Sequence, residues 1–206
     1  MRHTVILIAS SIVLLFTVAI LGSYVYSLNG DSLDLSSTDM RVVITGSMDG
    51  EPRTEYDIST IPLGSMVFVQ KVPTGGGSYE FYNDLRVGDI LTFHYRNPIT
   101  GEDMVVTHRI TDISDSNGDI IYTVKGDVIA DDPTNSSEQV IYASSGDIIG
   151  KVVGVSPIFG SIMLFLSSAE GKATLLGCFA SILFLIWFGP MISRHVIQKK
   201  TRKELD

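Results

Sequence analysis

The stretch Met104-Val105-Val106-Thr107-His108-Arg109-Ile110-Thr111-Asp112-Ile113 decides how this chain folds. Its residues alternate: Val106, His108 and Ile110 point one way, and Val105, Thr107 and Arg109 the other. Period two marks a β-strand with one face on a core. Asn117-Gly118-Asp119 follows, a dipeptide-type hairpin signal, and Ile120 to Val124 supplies a return strand. Working outward, Arg41 to Thr45, Ser65 to Val72, Ile90 to Tyr95 and Ile148 to Val155 are short runs rich in β-branched residues. Gly88-Asp89 and Gly146-Asp147 punctuate them as turns. Short strands with frequent turns predict a mainly β domain.

The strands occupy the middle of the chain. Apolar residues make up 45% of the 206 residues, unevenly spread. Neither Thr4 to Asn29 nor Ala173 to Ser193 contains a charged side chain. Each is long enough to cross a hydrocarbon core of about 30 Å as a helix. The first run also fits a signal peptide, but it exceeds the usual core of about 7–15 residues. Leu21-Gly22-Ser23 is a poor cleavage site, so a retained anchor is expected. The organisation expected is an anchor at 1–29, an extracytoplasmic domain at 30–172, a second transmembrane helix at 173–193 and a basic tail at 194–206. Pro157 to Leu166 is apolar and broken by Gly160; it either meets the bilayer or closes the core.

Charge sets the orientation. Arg194, Lys199, Lys200, Arg202 and Lys203 crowd the tail, and cytoplasmic flanks are enriched in such residues. Both termini are therefore expected in the cytoplasm and the middle segment outside, in a two-helix membrane protein. The formal net charge is −8, with the acids concentrated in the middle segment. Nucleic-acid binding is disfavoured, because phosphate neutralisation needs clustered Lys and Arg. The sole cysteine, Cys178, lies in the second apolar run, so no intramolecular disulfide is possible. His3, His94, His108 and His195 form no cluster with zinc spacing. Thr74-Gly75-Gly76-Gly77-Ser78 lacks the Gly-Lys-Ser/Thr ending of a phosphate loop and reads as a flexible connection.

Chemistry-bearing groups stand in three strings. Gly46-Ser47-Met48 offers a hydroxyl, Thr107-His108-Arg109-Ile110 an imidazole, and Lys125-Gly126-Asp127, with Asp131 and Asp132 close behind, a choice of carboxylates. A hydroxyl becomes a nucleophile when a base takes its proton, and an imidazole is a better base when a carboxylate orients it. Taken singly, each has a plainer role. Ser47 is a turn residue after a strand, His108 a structural histidine, Asp127 a turn former and Arg109 a surface or ion-pair residue. His94 is a weaker candidate base. Asn135-Ser136-Ser137 matches a glycosylation sequon.

Six strings in order change the weighting: Thr45-Gly46-Ser47-Met48, Ile61-Pro62-Leu63-Gly64, Val87-Gly88-Asp89-Ile90, Thr107-His108-Arg109-Ile110, Lys125-Gly126-Asp127 and Ile149-Gly150-Lys151-Val152. Through them the chain resembles type I signal peptidases of the archaeal and endoplasmic-reticulum kind. The resemblance implies a β-rich catalytic domain between membrane helices and a serine endopeptidase that removes signal peptides from exported preproteins. It implies Ser47 as nucleophile and His108 where bacterial relatives carry a lysine, with no cofactor and no metal. The family's usual triad acid lies about six residues beyond the Gly-Asp aspartate. This chain is one residue short there; Asp132 is the nearest match, with Asp127 and Asp131 as alternatives. Implied partners are preprotein signal peptides, the lipid bilayer, and the export channel or accessory subunits.

The chain departs from the family near the nucleophile. Gly50 stands where a proline is usual, the loop to Ile61 is longer, and Ser65 replaces an acid, creating a second Gly-Ser-Met at Gly64-Ser65-Met66. Two other readings remain at this level. One is a related membrane peptidase with a narrow set of surface-protein substrates. The other is a non-catalytic anchored accessory β-domain.

Overall fold

β-Branched and aromatic residues at alternating positions build one antiparallel sheet. The computed structural model describes residues 11–18, 21–22, 32–34, 37–97, 100–130, 139–142, 144 and 146–203. Among these, eight strands run β1 (Ser32–Asp34), β2 (Thr38–Val42), β3 (Met66–Lys71), β4 (Ile90–Arg96), β5 (Asp103–Ser116), β6 (Asp119–Lys125), β7 (Gln139–Tyr142) and β8 (Ile148–Ser156). Their order across the sheet is β1-β2-β3-β8-β4-β5-β6-β7. Besides the helical residues 11–18 and 21–22, the described residues form helices α1 (Gly77–Asn83), α2 (Asp127–Ala130), α3 (Pro157–Ser167) and α4 (Ala169–Lys203). A 3-10 turn occupies Gly46–Met48.

The β5–β6 hairpin forms where Asn117-Gly118 predicts it. Asn117 has φ 57° and Gly118 φ 86°, the left-handed pair that a tight turn between twisted strands requires. β8 arrives late in the chain yet sits centrally, bonded to β3 on one side and β4 on the other. Gly150 permits this: a β-carbon there would collide with the backbone carbonyl of Gln70 on β3.

Apolar residues gather in two clusters. Leu91, Phe93, Ile110, Tyr122 and Val124 lead one; Met48, Ile61, Val67, Val69 and Val152 lead the other. Met48 and Ile61 are fully buried, so the second cluster fastens both ends of the loop between them. Register shifts at Phe68/Val69, Thr92/Phe93 and Ile110/Asp112 add local twist. The 3-10 turn that follows β2 meets β5 and α2, although β3, β8 and β4 lie between β2 and β5 in the sheet. That approach brings the two ends of the candidate site together.

Chain contacts define two units, Asn29–Leu164 and Met1–Leu28 with Phe165–Asp206. The sheet unit thus ends before the boundary expected at 172. The segment from Pro157 rests through Gly160 on the backbone of Gly64–Met66. Gly160 is buried because a β-carbon there would strike the Gly64–Met66 backbone, while Ile158 and Phe159 remain exposed. The strand assignments stand within a few residues; β1, β7, α1 and α2 were not foreseen. Of the first apolar run, residues 11–18 and 21–22 are described and are helical; residues 173–193 all lie within α4. Among the described residues no single helix is long and apolar enough to cross a membrane. The pair Pro157–Ser167 and Ala169–Phe184 passes the length and composition test together.

Candidate active site

Ser47 is half-buried in the 3-10 turn, held by the fully buried Met48 beside it. The turn closes through Asp49 N–H donating to Gly46 C=O at 3.0 Å. Met48 C=O accepts from Ile61 N–H at 3.1 Å and from the Thr60 hydroxyl at 3.1 Å. These bonds tie the Ser47 turn to the far end of the 49–60 loop.

His108 lies on β5, 5% exposed, with the Phe93 ring edge-on beside it. Its face is the one the alternation assigns. Ser47 and His108 meet at Gly126, which begins the turn after β6. A β-carbon on Gly126 would stand 3.2 Å from His108 Nε2, 3.2 Å from Ser47 Cβ and 2.7 Å from the Ser47 carbonyl oxygen. Nε2 and the Ser47 side chain therefore border one small space that only a glycine leaves open. Among the described residues Ser47 makes no side-chain hydrogen bond, an arrangement common before substrate tightens a site.

The other ring nitrogen has an unforeseen partner. His108 Nδ1 lies 2.6 Å from Oε1 of Gln139, the first residue of β7. An amide oxygen only accepts, so Nδ1 carries the proton and donates. Burial lowers the His108 pKa from its ordinary value; the Gln139 hydrogen bond and the Asp127 charge oppose that shift.

Asp127 is occupied elsewhere. Arg109 grips both of its oxygens, Nε to Oδ1 at 2.8 Å and Nη2 to Oδ2 at 2.7 Å. Both side chains are almost fully buried. Arg109 Nη1 also donates to Gly88 C=O at 2.9 Å, and its guanidinium lies 4.9 Å over the Tyr56 ring. Arg53 Nε adds a second cation 3.4 Å from Asp127 Oδ1. Arg109 is thus an ion-pair residue, and the long 49–60 loop is fastened to β5 and α2 through Arg53 and Tyr56. Asp131, Asp132 and Asn135 lie outside the described residues. His94 is exposed on β4, and Ser65 is fully buried with its hydroxyl unpartnered.

A groove of about 690 Å³ opens beside Ser47 and His108. Ile44 and Thr45 line one wall, Met104 and Val106 the other. The β5 wall is a free strand edge among the described residues. Asp103 to His108 pair with β4 only, because β6 joins from Arg109 onward. No group of acids, histidines and cysteines able to hold a metal occurs among the described residues.

Sequence reasoning missed Gln139, Arg53 and Tyr56. None carries a local signal: a glutamine is not a triad residue type, and the loop bearing the other two reads as polar filler. No family model, characterised protein or solved structure matches the chain.

Proposed function

We propose that the chain is a membrane-anchored serine endopeptidase that removes signal peptides from exported preproteins, of the archaeal and endoplasmic-reticulum signal-peptidase kind. The observation that carries the reading is the shared space at Gly126, bordered by the Ser47 side chain and His108 Nε2. With Nδ1 protonated, Nε2 has its lone pair free to take the Ser47 proton as the hydroxyl oxygen attacks a scissile carbonyl. The same imidazolium then returns the proton to the leaving amine, and water repeats the sequence on the acyl-enzyme. Backbone N–H groups at the start of the 3-10 turn are the candidate donors to the tetrahedral oxyanion.

The groove supports an extended peptide as substrate. The edge from Asp103 to His108, free among the described residues, offers backbone donors and acceptors to an added strand, and its walls offer apolar contact. Such a strand leads towards His108. For the membrane assignment, the support is the uncharged run 173–193 carried on one helix, α4, and the basic residues after it. The described helices Pro157–Ser167 and Ala169–Phe184 pass the length and composition test for a membrane span only as a pair. In this reading the catalytic domain is extracytoplasmic and both termini are cytoplasmic.

The test is cleavage of a model preprotein in liposomes by the wild type and Ser47→Ala side by side. Cleavage after a small residue by the wild type alone is expected, insensitive to chelator. Equal cleavage by Ser47→Ala, or activity lost to EDTA and restored by zinc, would overturn the serine mechanism.

A further inference from the structure

We infer that Gln139 is a positioning residue whose side-chain carbonyl holds His108 by its Nδ1–H and leaves Nε2 as the basic nitrogen beside Ser47. The inference rests on the peptidase reading and adds to it an orienting group that is uncharged. Three observations carry it. The contact is short, 2.6 Å, and His108 is 5% exposed, so water does not compete freely for Nδ1. Gln139 is placed by secondary structure, since β7 pairs with β6 and sets Gln139 opposite Val124, two residues before Gly126. The nearest described carboxylate, Asp127, has both oxygens committed to Arg109.

An amide and a carboxylate do different work at this position. Both fix the ring and its tautomer, but only a carboxylate neutralises the imidazolium formed during attack. Among the described residues, the charges near His108 come from three elements and one loop. Asp127 on α2 favours the protonated ring. Arg109 on β5 and Arg53 in the 49–60 loop offset Asp127, and Arg41 on β2 lines the same groove. From β4 the neighbour is the uncharged Phe93. The amide holds the ring in place, while burial lowers its pKa from the ordinary value.

The experiment uses the full chain in detergent micelles. Nitrogen-edited NMR of the His108 ring, assigned by its loss in His108→Ala, gives tautomer and titration. Preprotein cleavage gives kcat/KM against pH. The wild type should show the Nδ1–H tautomer. Gln139→Glu, nearly isosteric, should raise the ring pKa by about one to three units, the effect of an adjacent opposite charge, and move the acid limb of kcat/KM up by the same amount. Gln139→Leu should lose the tautomer preference and about tenfold in kcat on the pH plateau, the worth of one hydrogen bond. An Nε2–H tautomer in the wild type would overturn the inference. So would a Gln139→Glu protein whose ring titration is unmoved, or loss of the tautomer in Asp132→Asn but not in Gln139→Leu. The ring measurements do not depend on peptidase activity, so failure of the serine mechanism, read from Ser47→Ala, is separable from failure of this assignment.

Discussion

Gly126→Ala tests the site's geometry with a single methyl group. That methyl would lie 2.7 Å from the Ser47 carbonyl oxygen and 3.2 Å from both Ser47 Cβ and His108 Nε2. Ordinary contact begins at about 3.4 Å, so the Ser47 turn must yield by about 0.7 Å. The clash is with backbone on one side and a packed ring on the other; neither has a flexible end to swing away. Displacement of reacting groups by about 1 Å costs on the order of 10²-fold in rate, so kcat should fall roughly 10- to 100-fold. Overpacking of this kind costs about 1–3 kcal/mol, a fall in Tm of about 2–10 °C for a chain of this size. KM should change little, because the groove walls at Ile44 and Met104 are remote from the added methyl in sequence and are not among its contacts. Gly76→Ala is the control: φ is −66° and nothing lies within 4 Å of its added carbon, so turnover and Tm should hold. Steady-state cleavage with thermal melting reads both variants. A folded Gly126→Ala protein with wild-type kcat would refute the claim that Ser47 and His108 work across this gap.

Ser47→Ala should abolish cleavage, whereas Ser65→Ala, which removes a buried unpartnered hydroxyl, should keep activity and lose no more than about 1 kcal/mol in denaturant melts. Asp127→Asn breaks one half of a buried bidentate pair and should destabilise by about 3–5 kcal/mol, seen as a large fall in melting midpoint. A melting curve equal to wild type would show that the pair does not bear on folding. Only neutral His108 accepts a proton, and burial lowers its pKa, so kcat/KM should persist as pH falls past about 6.5 and decline only below that. An acid limb at or above the ordinary histidine value would mean that a carboxylate outweighs burial. Tyr56→Ala removes the ring under Arg109 and should loosen the 49–60 loop, read as faster proteolytic nicking between Asp49 and Thr60 with about 0.5–2 kcal/mol lost.

How far the sequence reaches depends on what each feature needs. The β5–β6 hairpin is local: alternation and an Asn-Gly turn lie within a few residues of one another, and both are legible. The burial of His108 follows from the same alternation. Arg109 escapes that logic, since it sits on the opposite face yet is as buried as its neighbours. Tyr56 and Asp127 bury it, and both arrive from distant parts of the chain. Gln139 was illegible for a related reason. Its role comes from β7 pairing with β6, and a four-residue strand carries too little periodicity to be read. Helix α1 was hidden by the glycines that precede it, which read as a flexible connection. Ser65 is fully buried and Ser47 half-buried, a difference that the two identical tripeptides cannot disclose.

The β5 edge, unpaired among the described residues, bears on how this protein keeps in solution. Such a strand edge beside exposed Met104 and Val105 is the kind of surface along which two copies zip together. Asp103 begins that edge and pairs across to Arg96 on β4, 3.9 Å away. A charge at a strand edge discourages a partner strand from adding there. A preparation held at high concentration should therefore keep better with a strand-forming peptide in the groove, and replacing Asp103 with an uncharged β-former such as Val should favour clumping without altering the fold.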